Sequence, residues 1–208
     1  MLDLFCGAGG AAMGYHWAGF DVVGVDIAPQ PHYPFEFHQA DALTYPLDGF
    51  DAIHASPPCQ AYSVTRALRK RAHPMLVEPT RELLQASGLP WVMENVVGAP
   101  LANALVLCGT MFEGLRVYRH RLFECDPPLY FPPLACNHSF SMPASKGQYH
   151  TLETQDFITA VGHNFSASSG RIALGIDWMT RDEMAQAIPP AYTEWIGRQL
   201  LSAIEAAA

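Results

Sequence analysis

Residues 2–26 read LDLFCGAGGAAMGYHWAGFDVVGVD, and this stretch decides the fold class. LDLF is a short apolar run of buried-strand type, and CGAGG is a turn rich in residues free to take positive φ. AAMGYHWAGF reads as a helix, and DVVGVD is a second apolar strand that stops on an acid, Asp26. Strand, glycine turn, helix, strand and acid in that order make the first unit of a doubly wound, Rossmann-like α/β sheet. Glycines stand at 7, 9, 10 and 14, but position 12 is alanine, so the dinucleotide fingerprint lacks its third glycine. The turn therefore suits a nucleoside-bearing ligand without a pyrophosphate, with Asp26 placed to accept ribose hydroxyl bonds.

Working outward, IAPQPHYPFEFHQ holds three prolines, which predicts a short or irregular crossover in place of a full helix. ADAL then sets Asp41 just beyond a third strand. FDAIHA is a fourth strand, and SPPCQAYS (56–63) is the loop leaving its carboxyl end, the edge where open α/β sheets bind ligands. EPTRELLQA is a helix ending at Gly88, PWVMEN a strand, and ALVLCG and HRLFEC are later strands. From 126 to 170 prolines at 127, 128, 132, 133 and 143 predict an irregular insert. Thr180 to Glu183 has capping-box spacing, and IPPAYTEWIGRQLLSAI predicts a proline-initiated helix burying Ile196, Leu200 and Ile204. The expected organisation is a catalytic and cofactor-binding core over 1–125, a reduced recognition insert over 126–170, and C-terminal helices over 171–208 that complete the core.

Composition narrows the class. Half of the 208 residues are hydrophobic, ample for a core, yet no run of 18 apolar residues predicts a membrane span. The N-terminus lacks a basic segment followed by an apolar run, and five cysteines (6, 59, 108, 125, 136) have no disulfide-scaffold spacing. A reducing, intracellular setting is expected. Net charge is −8, but seven of the twelve Lys and Arg residues fall in two short windows, RALRKR (66–71) and RVYRHR (116–121). The first begins just after Cys59, and positive charge concentrated there points to phosphate contacts.

Three features carry chemistry. Pro57 and Pro58 stiffen the approach to Cys59, fixing a thiol at a strand end beside basic residues that favour thiolate. Glu94 and Asn95 close an apolar strand at the same edge. Arg119 and Arg121 stand two apart; in a strand they would share one face.

Taken in order, DLFCGAGG, VGVDI, ADAL, SPPCQ, MENV and RHR resemble the successive motifs of the cytosine-C5 DNA methyltransferases, over roughly residues 1–125 and again, faintly, over 178–198. The resemblance implies S-adenosylmethionine as cofactor and DNA as partner, with no membrane or protein partner expected. It makes Cys59 the nucleophile, Glu94 the acid, and Arg121, supported by Arg119, the cation at the base. Phe5, Gly7, Gly9, Asp26, Ile27, Asp41 and Pro58 would line the cofactor pocket. Gln60, Ser63, Arg66, Arg69, Lys70 and Arg71 would form a DNA-gripping loop around a flipped-out cytosine.

The chain departs from that pattern in places. Val117 stands where family members usually carry glutamine, and AIPPAYTEWIG (187–197) replaces a late Gly-Asn motif. The insert leaves about 45 residues for reading bases, which predicts a short or relaxed target. Cys136 and His138, with Cys125, His150 and His163 as scattered partners, match zinc spacing poorly, so no metal is expected. Two alternatives remain. One is an RNA cytosine methyltransferase, although the Cys-Phe-Thr motif usual in tRNA-directed relatives is missing. The other is a non-catalytic binding relative.

Overall fold

A computed structural model describes residues 1–62, 73–129, 135–139, 157–162 and 164–207. Seven strands form one sheet: β1 (Leu2–Leu4), β2 (Val23–Asp26), β3 (Glu36–Gln39), β4 (Ile53–Ala55), β5 (Trp91–Asn95), β6 (Leu105–Leu107) and β7 (Arg121–Asp126). Their spatial order is β3-β2-β1-β4-β5-β7-β6. The first five run parallel, and β7 is antiparallel to both neighbours. The strand order reverses between β1 and β4, so the carboxyl ends of those two strands open the crevice where such sheets bind ligands.

The central strands are buried on both faces, as a parallel sheet requires: Leu2, Leu4, Ile53, Ala55, Val92 and Met93 have no solvent exposure. Helix α1 (Gly10–Ala18) leaves the glycine turn, and α2 (Val77–Ser87) ends on Gly88 in the left-handed conformation. No helix joins β2 to β3, in keeping with the prolines there. Arg81 of α2 donates two hydrogen bonds of 2.9 Å to the carboxylate of Glu124, fastening this helix to β7.

The C-terminal helix α5 (Pro190–Ala207) packs along α1 and buries Tyr192, Ile196 and Leu200, while Ile204 is only partly covered. The two helices meet at Gly14, where a Cβ would lie 2.0 Å from the Pro190 carbonyl oxygen and 2.1 Å from Thr193 Oγ1. Thr193 donates to the Ala11 carbonyl at 2.8 Å across the same contact. A methyl group cannot enter without parting the helices. Gly14→Ala should therefore cost about 1–3 kcal/mol despite alanine's higher helix propensity, read as a lower urea midpoint with an unchanged slope.

Helix α4 (Arg181–Met184) begins with the expected capping box, in which Thr180 Oγ1 accepts from the Glu183 amide and the Glu183 carboxylate accepts from the Thr180 amide. The insert departs from expectation at its C-terminal end. Residues 157–162 and 164–170 return to the core: Ile158 bridges Val117 in parallel register, Phe157, Ala160 and Phe165 are buried, and α3 (Ala167–Leu174) starts at a Ser166 cap. The apolar side chains between the polar residues drive that return.

Candidate active site

The glycine turn is held from two sides. Phe5, Gly7 and Gly9 all have positive φ, at 57°, 49° and 83°, so the chain coils tightly between β1 and α1. The Gly7 amide donates to Asp26 Oδ2 at 3.0 Å, tying the turn to the end of β2, while Ala28 donates to Oδ1 at 2.9 Å. Trp178, from the far end of the chain, donates its indole N–H to the Ala8 carbonyl at 2.9 Å.

Beneath the turn, Asp3 is fully buried, and burial together with the Asp26 charge pushes its pKa well above the carboxylate range. It faces the Tyr33 hydroxyl. Burial also drives the Cys6 thiol upward and the Cys125 thiol to about 12. Neither sulfur is a nucleophile near neutrality.

Cys59 opens a short 3₁₀ turn, Cys59–Ala61, directly after Pro58, and is partly exposed. The loop is anchored from the neighbouring strand: Asn95 donates its side-chain N–H to the Pro57 carbonyl at 2.8 Å, fully buried, and accepts from the Val96 amide through Oδ1. The Pro57 carbonyl is buried, so this bond stands where a bond to water would otherwise be. Asn95→Ala should leave a buried acceptor unpaired at a cost of about 1–3 kcal/mol. The thiol should also become easier to alkylate unproductively. Chemical denaturation and iodoacetamide kinetics report the two effects.

Glu94, the preceding residue, is 6% exposed, and Arg121 Nε at the start of β7 lies 2.9 Å from its Oε1. Burial raises the Glu94 pKa, and Arg121, the Ser56 hydroxyl and Arg119 oppose the rise. A hydrogen-bonded chain backs the carboxyl: Tyr15 Oη to His54 Nδ1 at 2.9 Å, His54 Nε2 to Ser56 Oγ at 2.8 Å, and Ser56 onward to Glu94. Burial lowers His54 to about 3, so the ring is neutral, with one nitrogen donating and the other accepting. A chain of neutral groups fixes the carboxyl without adding charge.

Arg119 does something different from a second cation on the strand face. It precedes β7 and is 3% exposed, and its guanidinium donates to the carbonyls of Ala160, Met184, Ala185 and Ala187. The expectation that Arg119 and Arg121 share a strand face is corrected accordingly. Burial and Arg121 push the Arg119 pKa down to about 9, leaving it charged at neutral pH. Four carbonyls from the returning chain surround it, so it ties residues 160–187 to the edge that holds Glu94 and Cys59.

Residues 1–100 match the family model described as C-5 cytosine-specific DNA methylase. That match, over just under half of the chain, makes its N-terminal part similar to the cytosine-C5 methyltransferases. Among curated proteins no sequence matches it. Solved structures share the fold. An E. coli prophage protein assigned as a DNA modification methyltransferase superposes with TM-score 0.68 at 15% identity, covering 98% of this chain and 99% of its own. The EhMeth methyltransferase of Entamoeba histolytica gives 0.60 at 11% identity, with 98% of each chain covered. The S. pombe Dnmt2 methyltransferase gives 0.58 at 13% identity, covering 97% and 98%.

The methyltransferase family implies S-adenosylmethionine as donor, and the residues present fit it. Space is open where a Gly7 side chain would stand, and Ile27 is 73% exposed beside Asp26, an apolar surface left uncovered at the carboxyl edge of β2. Phe5, Asp41 and Pro58 follow the ends of β1, β3 and β4, and Asp26 closes β2, along one edge of the sheet. Asp41 is exposed and accepts from the Leu43 amide at 3.0 Å. At the position of the usual glutamine, Val117 is fully buried and packs on Gly109. Gln60 follows Cys59 in the 3₁₀ turn; Ser63, Arg66, Arg69, Lys70 and Arg71 lie outside the described residues.

Sequence reading missed Trp178, His54, Ser56 and the anchoring role of Asn95. Only Asn95 carried a usable signal, its place next to Glu94 at a strand end.

Proposed function

We propose that the chain methylates carbon 5 of cytosine in DNA through a covalent bond between Cys59 and the base. The observation that carries this reading is the buried Glu94–Arg121 pair, set beside the Cys59 loop by the Asn95–Pro57 bond. Carbon 5 of cytosine is a poor nucleophile. A Cys59 thiolate adding to carbon 6 pushes the ring electrons toward N3 and leaves carbon 5 enamine-like. Glu94, kept protonated to higher pH by burial, donates a proton at N3, and Arg121 steadies charge at O2. S-adenosylmethionine, when bound, supplies an electrophilic methyl group. The carbon-5 proton then leaves to solvent, and the Cys59 sulfur is expelled as the ring regains its double bond.

Asp26 would hold the ribose and Asp41 the adenine amino group, with Phe5, Gly7, Gly9, Ile27 and Pro58 around them. The target base must leave the helix, at a cost of a few kcal/mol. Gln60, Ser63, Arg66, Arg69, Lys70 and Arg71 would offset that cost by contacts to phosphates. The short insert would read a target of a few bases.

The test is to incubate the protein with methyl donor and unmodified plasmid, then read every cytosine by conversion sequencing. Methylcytosines within a two- or three-base context support the reading. Methylation confined to a longer defined site contradicts the short-target part. Unmodified DNA alongside methylated RNA moves the substrate to RNA.

A further inference from the structure

Away from the reaction centre, three sulfur and nitrogen donors meet where the insert touches the sheet, with a fourth sulfur against one of them. Cys108 follows β6 and is fully buried; His120 precedes β7, between Arg119 and Arg121; Cys136 and His138 belong to the described segment 135–139. One donor atom each from Cys108, His120 and His138 lie within 4.8 Å of one another. Cys108 Sγ is 3.5 Å from His138 Nε2, and Cys136 Sγ is 3.8 Å from His120 Nε2.

We propose that Cys108, His120, Cys136 and His138 bind a zinc ion that staples the insert to the catalytic sheet. Zinc bonds to sulfur and imidazole at tetrahedral angles imply a sulfur–nitrogen edge of about 3.6 Å. The two edges above bracket that value. Separate thiol–imidazole hydrogen bonds explain each pair alone, but not the convergence of three donors from three stretches of chain. Two thiolates and two neutral imidazoles cancel the charge of a divalent ion, which a site with one wall fully buried requires. Two sulfurs and two nitrogens in a tetrahedron select zinc, and four protein ligands leave no open position for catalysis.

The surroundings fit that role. Thr110 Oγ1 donates to Cys108 Sγ at 3.5 Å and accepts from the Asn137 amide at 3.0 Å, so one hydroxyl supports a thiolate and seats the Cys-Asn-His turn. Tyr118 packs edge-on against the His138 ring at 5.0 Å. The apolar anchors described in the insert lie at its C-terminal end, and a metal would fasten the Cys-Asn-His turn at the other. Because His120 lies between the two arginines, the same ion fixes the backbone that leads Arg121 to Glu94. The sequence reading offered Cys125, His150 and His163 as partners. Cys108 and His120 take their place; Cys125 is in β7, and His150 and His163 lie outside the described residues.

Metal analysis of the purified full chain, prepared without chelator, should find about one zinc per chain. Cobalt exchanged into it should give the intense visible bands of a tetrahedral site with thiolate charge transfer. Cys136→Ser with His138→Ala, both at exposed positions, should bring zinc close to zero while circular dichroism stays native. Cys125→Ser should keep the full complement. Folded wild-type protein without zinc that gives no tetrahedral cobalt spectrum overturns the proposal, as does a double variant that retains its zinc. If the double variant does not fold, the wild-type cobalt spectrum decides: thiolate charge transfer upholds the site, and its absence overturns it.

Discussion

Cys59→Ala is expected to lower methyl transfer by about four orders of magnitude or more while leaving the fold and donor binding intact. In the proposed mechanism, removing the sulfur removes the route by which carbon 5 becomes nucleophilic, and neither Cys6 nor Cys125 can substitute. Cys6 and Cys125 are held neutral by burial. Cys59 is partly exposed, so the truncation opens no sealed core cavity. Single-turnover transfer of a labelled methyl group, beside the thermal midpoint and donor affinity of the variant, separates lost chemistry from lost structure. Residual activity within a few-fold of wild type would exclude covalent catalysis by this residue.

Glu94→Gln is expected to reduce kcat by about 10²–10⁴-fold and to change the pH profile. The amide is nearly isosteric and still accepts from Ser56, so the backing chain through His54 and Tyr15 survives. An acid that must be protonated to act loses function as pH rises through its pKa. Burial raises the Glu94 pKa, so that loss should come at higher pH than for an exposed glutamate. Glutamine abolishes this limb and leaves any limb that belongs to the thiol. Stability moves the same way. A carboxyl with a raised folded-state pKa favours the folded state below its unfolded value, and this contribution is lost as pH rises through the folded one. The glutamine variant should therefore lose less stability than wild type on going from acid to alkaline conditions. A variant with an unaltered pH profile would remove Glu94 from the reaction.

Local patterns made much of the fold legible. Glycines at 7 and 9 sit in the positive-φ turn their spacing required, the prolines between β2 and β3 left no helix there, and Thr180 and Glu183 form the box they spelled. What escaped was long-range. Arg119 looked like half of a paired cation because only its neighbour at 121 was visible. Its carbonyl partners stand 41 to 68 residues away, and backbone carbonyls leave no mark on sequence. His54 reads as an ordinary polar residue in FDAIHA; only packing shows that it is buried and backs Glu94 through Ser56. The Cys136–His138 pair was visible, but Cys108 and His120 become its neighbours only when β6 and β7 pair at the sheet edge. The return of residues 157–162 and 164–170 to the core was hidden by an irregular composition in which Phe157, Ala160 and Phe165 are buried while Val161 stays exposed.

The central claim is a covalent bond between Cys59 and carbon 6 of cytosine, and a substrate that cannot complete the cycle tests it directly. DNA carrying 5-fluorocytosine at the target accepts the sulfur and the methyl group but has no carbon-5 proton to lose, so the adduct persists. With methyl donor present, the protein should migrate on a denaturing gel at the combined mass of chain and DNA, with the linkage on Cys59 by peptide mapping. No such species should form with Cys59→Ala. Methylation of ordinary DNA by a protein that never traps on the fluorinated substrate, or trapping through a different residue, would contradict the account.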